Sequence, residues 1–111
     1  MSVVNRYKFV GKDNDTTGNA LDVFGTGNPK VNETYIVKSI LVTSASTPTV
    51  TITNNSITAI KSAALTADTT KELLTQPLIV EGGTTLTIQS SNTGSFDFAV
   101  SYLNILKEKV D

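Results

Sequence analysis

The chain of 111 residues contains no cysteine, no histidine and no tryptophan. Without Cys and His it cannot form disulfides, thiolate nucleophiles, Cys/His zinc sites or His-dependent catalytic triads. Charge is also scarce, because only 17% of the residues are charged and nine basic residues nearly balance ten acidic ones. A nucleic-acid-binding surface needs clustered positive charge. The composition therefore predicts a protein with no nucleic-acid partner.

Long apolar runs are missing as well. The longest, such as Ile40-Leu41-Val42, fall far short of the ~20 residues that a spanning helix needs. The N-terminal residues include no 7–15-residue apolar segment of the kind found in secretory signals. We therefore expect synthesis in the cytoplasm and no membrane association. We also expect no enzymatic activity, no catalytic residue and no cofactor.

What the chain does have is small hydroxyl residues and alternation. It contains 18 Thr and 10 Ser, and β-branched Thr suits half-solvated strands while Ser suits turns. Apolar residues recur mainly with a period of two, which indicates strands. Roughly eight strand candidates at short spacing predict an all-β fold, a single β-sandwich spanning residues 1–111. Local alternation leaves open whether the strand order is jelly-roll or immunoglobulin-like.

The best strand candidates also predict core faces. In 34–43, apolar residues occupy both alternating sets, with Tyr35, Val37 and Leu41 on one, so a central strand is expected. Pro77 places the segment that follows it at a sheet edge or a bulge. Other segments alternate cleanly, and their predicted inward residues are Val50, Ile52, Leu86, Ile88, Phe96, Phe98, Val100 and Tyr102.

Residues 11–19 are polar and predict a turn. Within them, Asp13, Asp15 and Thr17 hold the first, third and fifth places of a calcium loop, and Gly18 holds the sixth. The twelfth place is Phe24, where such a loop carries a bidentate Glu. The expectation is therefore a plain Asx-rich turn without metal, and these three residues form only a weak candidate site.

Three further features could carry chemistry. Paired carboxylates could serve glycoside hydrolysis, and Glu81 and Asp97 are among the few acids, but solvated charges on the outer face of a sheet explain them better. The Thr rows, at 49/51/53 and 85/87, could bind ice or polysaccharide, but they suit a wet sheet face. Phe96, Phe98 and Tyr102 could stack on sugars, although their in-line spacing fits core packing better.

The N-terminal segment is the predicted contact region. Residues 3–10 form a strand candidate, and residues 1–12 could be an extended arm that adds to the sheet edge of a neighbour. The residues predicted at that interface are Val3, Val4, Tyr7 and Phe9.

Several stretches from Thr34 onward resemble small structural proteins of tailed-bacteriophage virions. The resemblance covers about two thirds of the chain and consists of strand and turn patterns without a catalytic signature. The first 33 residues do not share it. The stretches that carry it are Thr34-Tyr35-Ile36-Val37-Lys38-Ser39-Ile40-Leu41-Val42, Thr49-Val50-Thr51-Ile52, Lys71-Glu72-Leu73-Leu74, Pro77-Leu78-Ile79-Val80-Glu81-Gly82-Gly83-Thr84-Thr85-Leu86-Thr87-Ile88 and Val100-Ser101-Tyr102-Leu103-Asn104-Ile105.

This resemblance implies a non-enzymatic β-sandwich component of the virion. Its first expectation is a capsid decoration (cement) protein that contacts the major capsid protein or other virion proteins and forms a homo-oligomer. A tail, neck or fibre accessory protein is an alternative within the same class. A carbohydrate- or receptor-binding β-sandwich module is the alternative from a different class.

Overall fold

Two antiparallel sheets form the molecule, and no helix occurs in residues 3–15, 20–91 and 96–107, which the computed structural model describes. None of these residues forms a helix long and apolar enough to cross a membrane. The predicted all-β sandwich is confirmed. The strands are β1 (Val3–Asp15), β2 (Leu21–Asp22), β3 (Glu33–Ser44), β4 (Thr49–Asn54), β5 (Ile57–Ala64), β6 (Lys71–Glu72), β7 (Leu78–Glu81), β8 (Leu86–Ser90) and β9 (Phe96–Lys107).

The strand order identifies a jelly roll. The first sheet runs β1–β9–β3, and the short strands β6 and β7 both pair with the far side of β3; the second runs β2–β8–β4–β5. Apart from β4 and β5, consecutive strands do not pair with each other. An immunoglobulin-like order would instead place the first two strands side by side. With β6 and β7 sharing one position, this is the eight-position, two-sheet jelly roll.

A single apolar core lies between the sheets. Both sheets contribute to it, because alternate residues along each strand point inward. All the inward residues predicted for β4, β8 and β9 are buried, which confirms the period-two argument there. The core residues are Val23, Tyr35, Val37, Ile40, Val42, Val50, Ile52, Leu65, Leu73, Val80, Leu86, Ile88, Phe96, Phe98, Val100 and Tyr102.

The central position of β3 is confirmed, but its face assignment is wrong for Leu41. The register with β9 shifts between Val37 and Ser39. One extra residue in a strand moves every later side chain to the opposite face. Tyr35 and Val37 therefore point into the core before the bulge, whereas Ile40 and Val42 do so after it, and Leu41 is left on the outer face.

Strand β1 is longer than the sequence predicted. It pairs with β9 along its length, from Val3 opposite Lys107 to Asp15 opposite Phe96. The prediction of a turn from residue 11 is therefore wrong for residues 11–15, and residues 16–19 lie outside the described part. The long β9 supplies ladder partners that polar residues accept in spite of their low strand propensity. The predicted N-terminal arm is thus an edge strand of its own sheet from Val3 onward.

The turn between β4 and β5 follows from its sequence. Asn55 and Ser56 both have positive φ, at 50° and 64°, which is the backbone of a two-residue type I′ hairpin turn. Asn tolerates this conformation better than most residues with a Cβ. The predicted turn at Asn54-Asn55 is therefore confirmed, one residue further along.

Candidate functional site

An apolar row crosses the solvent-facing side of the first sheet. Tyr7 of β1 lies opposite Leu103 of β9, Leu103 lies opposite Ile36 of β3, and Ile36 lies opposite Ile79 of β7. Directly opposed residues in antiparallel strands point to the same face. These four side chains, the outer row, thus form a stripe across four strands on the face away from the core.

The outer row and the adjacent Phe9 expose apolar surface to solvent. Tyr7 is 79% exposed, Phe9 two residues on is 69% exposed, and Ile79 is 55% exposed. Aromatic side chains cover roughly 150–250 Å² each, so Tyr7 and Phe9 alone offer on the order of 300 Å². The largest contiguous apolar patch on a typical monomer covers about 300–600 Å² and is often functional.

Neighbouring residues extend this surface along the strands. Gly11, Ala99 and Leu41 lie opposite one another in the next apolar row. The Phe9 ring covers Gly11, since a Cβ there would lie 3.1 Å from its Cζ. Phe9, Ser101 and Ser39 lie between this row and the outer row, so the apolar surface is continuous along β1 and is interrupted by serines on β9 and β3.

The opposite outer face of the sandwich is polar. Thr58 of β5, Thr53 of β4, Thr87 of β8 and Asp22 of β2 lie in one row across the second sheet. Hydroxyl and carboxylate groups are well hydrated and gain little from burial. The Thr rows are thus the wet face expected from the sequence, and the outer row of the first sheet has no apolar counterpart in this row of the second sheet.

The structure locates the four predicted interface residues in β1. Tyr7 and Phe9 are exposed on the apolar face. Val3 and Val4 lie at the start of the same strand, opposite Lys107 and Leu106 of β9. Sequence reasoning missed Ile36, Ile79 and Leu103, which complete the outer row from three other strands.

The structure does not support a calcium-binding loop at Asp13, Asp15 and Thr17. Asp13 and Asp15 belong to strand β1, whereas a calcium loop folds its first, third and fifth residues around the ion. Thr17 lies outside the described residues. Among the residues that the structure describes, no group of three or more Asp or Glu side chains is placed to hold a metal.

Glu81 and Asp97 are too far apart to act as a catalytic pair. Glu81 lies opposite Thr34 and Asp97 lies opposite Thr43, at the two ends of β3. Nine residues along a strand span roughly 30 Å, while glycosidase carboxylates stand about 5–9.5 Å apart.

Three aromatic rings close the core at one end of the sandwich. Phe24, Tyr35 and Tyr102 have ring centroids 4.7 Å apart in each pair. Burial, with the Glu33 carboxylate nearby, raises the pKa of Tyr35 to about 12. The same two causes raise the pKa of Tyr102. Glu33 Oε2 accepts a hydrogen bond of 3.0 Å from Asn104 Nδ2, which fixes this carboxylate beside the rings.

We expect alkaline pH to destabilise the fold through Tyr35. Its folded pKa of about 12 exceeds the ordinary value of 10.0, so folding favours the neutral phenol. This contribution is fully present below pH 10 and is lost as the pH rises towards 12. Denaturant unfolding of Tyr35→Phe should show a smaller loss of stability over that range than the wild type. An equal loss in both proteins would contradict the assignment to Tyr35.

A groove of about 360 Å³ separates the edge strands β5 and β7. Asn54, Ile57, Ile79 and Glu81 are among its lining residues, and none of the lining residues is aromatic. Phe96, Phe98 and Tyr102, the predicted sugar-stacking candidates, are buried in the core as expected from their spacing. The groove therefore lacks the aromatic platform on which sugar rings stack.

Comparison with known proteins adds no assignment. No protein-family model matches the chain. A search of curated protein sequences finds no significant match.

Proposed function

We propose that this protein is a non-enzymatic structural component of a bacteriophage virion. More specifically, we propose a capsid decoration protein that contacts the major capsid protein. The outer row and Phe9 make the contact, and the polar second sheet faces solvent. The observation that carries the proposal is the apolar row Tyr7–Leu103–Ile36–Ile79 on a sheet face that the core does not use.

The polarity of the two faces supports assembly rather than catalysis. A decoration protein must bury one side against a shell and keep the other hydrated. The first sheet exposes Tyr7 and Phe9, whereas the second exposes a row of Thr. Aromatic residues are enriched at protein interfaces because they supply large contact areas at low entropic cost.

The strand order supports the same class by analogy alone. Double-sheet jelly rolls occur in viral capsid domains, and also in lectins and cupins. Fold does not determine function. A lectin that bound its sugar in the groove beside Ile57 and Ile79 would need an aromatic ring there, and the described lining has none. The exposed rings of Tyr7 and Phe9 lie outside that groove.

The test is binding to particles assembled without this chain. Purified protein is added, and the particles are imaged by cryo-electron microscopy. We expect ordered density at regular sites on the shell, with the first sheet facing the capsid. Density confined to the neck or tail would overturn the decoration role and keep the structural class. An absence of ordered density anywhere on the particle would overturn the virion proposal.

A matched pair of variants tests the face itself. Ile79→Lys places a charge in the outer row, and we expect it to weaken particle binding about tenfold or more. Thr58→Lys places the same charge at an exposed position of the second sheet and should leave binding unchanged. Both positions are exposed, so both variants should fold, which thermal unfolding checks. Equal binding by the two variants would contradict the use of this face.

A further inference from the structure

The sandwich has open sheet edges, and most of them are protected against strand addition. Exposed edges recruit other strands unless they are short, bulged or covered. Strand β2 has only two residues. Strand β5 has two register irregularities with β4. Its Ser62 also has φ of 51°, and the Ser62 N–H donates to Thr51 Oγ1 at 3.1 Å. Neither strand offers a regular ladder to a partner.

Side chains cap the edge at β7. Asn54 Nδ2 donates to the main-chain oxygen of Ile79 at 2.8 Å. Thr84 donates to the Glu81 oxygen through its hydroxyl at 2.7 Å and through its N–H at 3.1 Å. These main-chain acceptors are already satisfied, so an incoming strand would have to displace their partners.

Strand β1 differs from the other edges. It spans thirteen residues, it pairs only with β9, and its register is regular from Val3 to Lys12. Within the described residues, no strand pairs with its outer edge. A long and regular edge of this kind provides the main-chain hydrogen bonds that a partner strand needs.

The charges of β1 oppose pairing with a second copy. Arg6 and Lys8 are exposed on the side opposite to Tyr7 and Phe9, because they lie opposite the inward residues Asn104 and Tyr102. An antiparallel pair of β1 strands centred on Arg6, Tyr7 or Lys8 would place Arg6 on Arg6, Arg6 on Lys8, or Lys8 on Lys8. Like charges directly opposed across strands are destabilising.

We infer that β1 binds an extended strand of a partner protein that carries carboxylates at alternate positions. Its acidic residues lie opposite Arg6 and Lys8, and its apolar residues lie opposite Tyr7 and Phe9. The edge supplies main-chain hydrogen bonds, the cations select acidic over basic sequences, and the aromatic rings supply apolar contact. The inference rests on the proposed function only in that the partner is a protein.

The test uses two synthetic peptides. Ac-Thr-Val-Glu-Val-Glu-Val-Thr-NH2 carries the predicted pattern, and its control has Lys in place of both Glu. Titration is followed by two-dimensional amide NMR of the labelled protein. We expect the acidic peptide to bind about tenfold more tightly than the basic one, with the largest shifts at residues 3–11. Equal binding of the two peptides, or shifts centred elsewhere, would overturn the inference.

Charge reversal supplies the matched control. Lys8→Glu should reduce the preference for the acidic peptide about tenfold. Lys61→Glu makes the same change at an exposed position in β5 and should preserve the preference. If Lys8→Glu leaves the preference unchanged, Lys8 is not the selecting charge and the inference fails.

The two proposals can fail separately. Ile79→Lys should weaken particle binding and leave peptide binding intact, because Ile79 lies three strands from β1. Peptide selectivity without particle binding would sustain the strand inference and overturn the virion role. If Lys8→Glu still binds particles and the wild type shows no peptide selectivity, the virion role is sustained and the strand inference fails.

Discussion

Replacing Phe96 by alanine is expected to lower the free energy of unfolding by about 3–5 kcal/mol. Phe96 is 1% exposed and is among the largest fully buried side chains of the core. Its ring packs beside Phe98, with centroids 6.1 Å apart. Truncation loses the transfer free energy of the ring and leaves a cavity that a two-sheet core can only partly fill. The free energy of unfolding of a domain of this size is about 5–15 kcal/mol, so the substitution would remove a large fraction of the stability.

Phe9→Ala is the matched control for Phe96→Ala. It removes a ring of the same kind from the solvent-facing side of the sheet, where Phe9 is 69% exposed. We expect a change of no more than about 1 kcal/mol, together with weaker particle binding. The free energy of unfolding of both variants is obtained from their denaturant midpoints, provided that the m-value is unchanged. Comparable destabilisation by the two variants would contradict the division of this sheet into a core face and a contact face.

Gly82→Ala is expected to cost about 3 kcal/mol of stability. A Cβ at this position would lie 2.7 Å from the Glu33 oxygen, 2.6 Å from the Val31 oxygen and closer still to the Lys30 oxygen. All three neighbours are main-chain atoms, so no flexible side chain can move aside. The turn after β7 would have to separate from the 30–33 segment. Such a separation would disturb the pairing of β7 with β3, which positions Ile79.

Substitution of the adjacent Gly83 is a control that distinguishes the steric clash at Gly82 from the cost of backbone strain alone. Gly83 has φ of +81°, and a Cβ there would meet nothing within 4 Å. Gly83→Ala should therefore cost only the roughly 1–2 kcal/mol of a left-handed residue. Thermal and denaturant unfolding of the two variants give the comparison. A cost for Gly82→Ala no greater than that for Gly83→Ala would contradict the close packing of this turn.

Alternation predicted much of the core from sequence. The inward residues of β4, β8 and β9 were correct because each of these strands keeps a uniform period of two. In β9, Leu103 and Ile105 alternate with the inward residues, so the sequence itself contains an apolar outer face towards the C-terminus of this strand. That signal could have led to the outer row, but it did not identify Ile36 or Ile79 as its neighbours.

The errors arose where long-range pairing overrides local pattern. The bulge in β3 turned Leu41 outward, and no residue type in this segment predicts a bulge. The polar residues 11–15 became strand because β9 provides a ladder for them. Both outcomes depend on a strand more than fifty residues away in sequence.

The amino-acid sequence was sufficient to predict the all-β class and the inward faces of the uniform strands, and to exclude Cys and His chemistry. Each of these depends only on composition or on the two-residue period of a strand. The jelly-roll order, the apolar row across β1, β9, β3 and β7, and the unpaired edge at β1 follow only from the folded structure. Those features arise from the register between distant strands, because registers set which side chains become neighbours, and a single strand's pattern does not specify its partner.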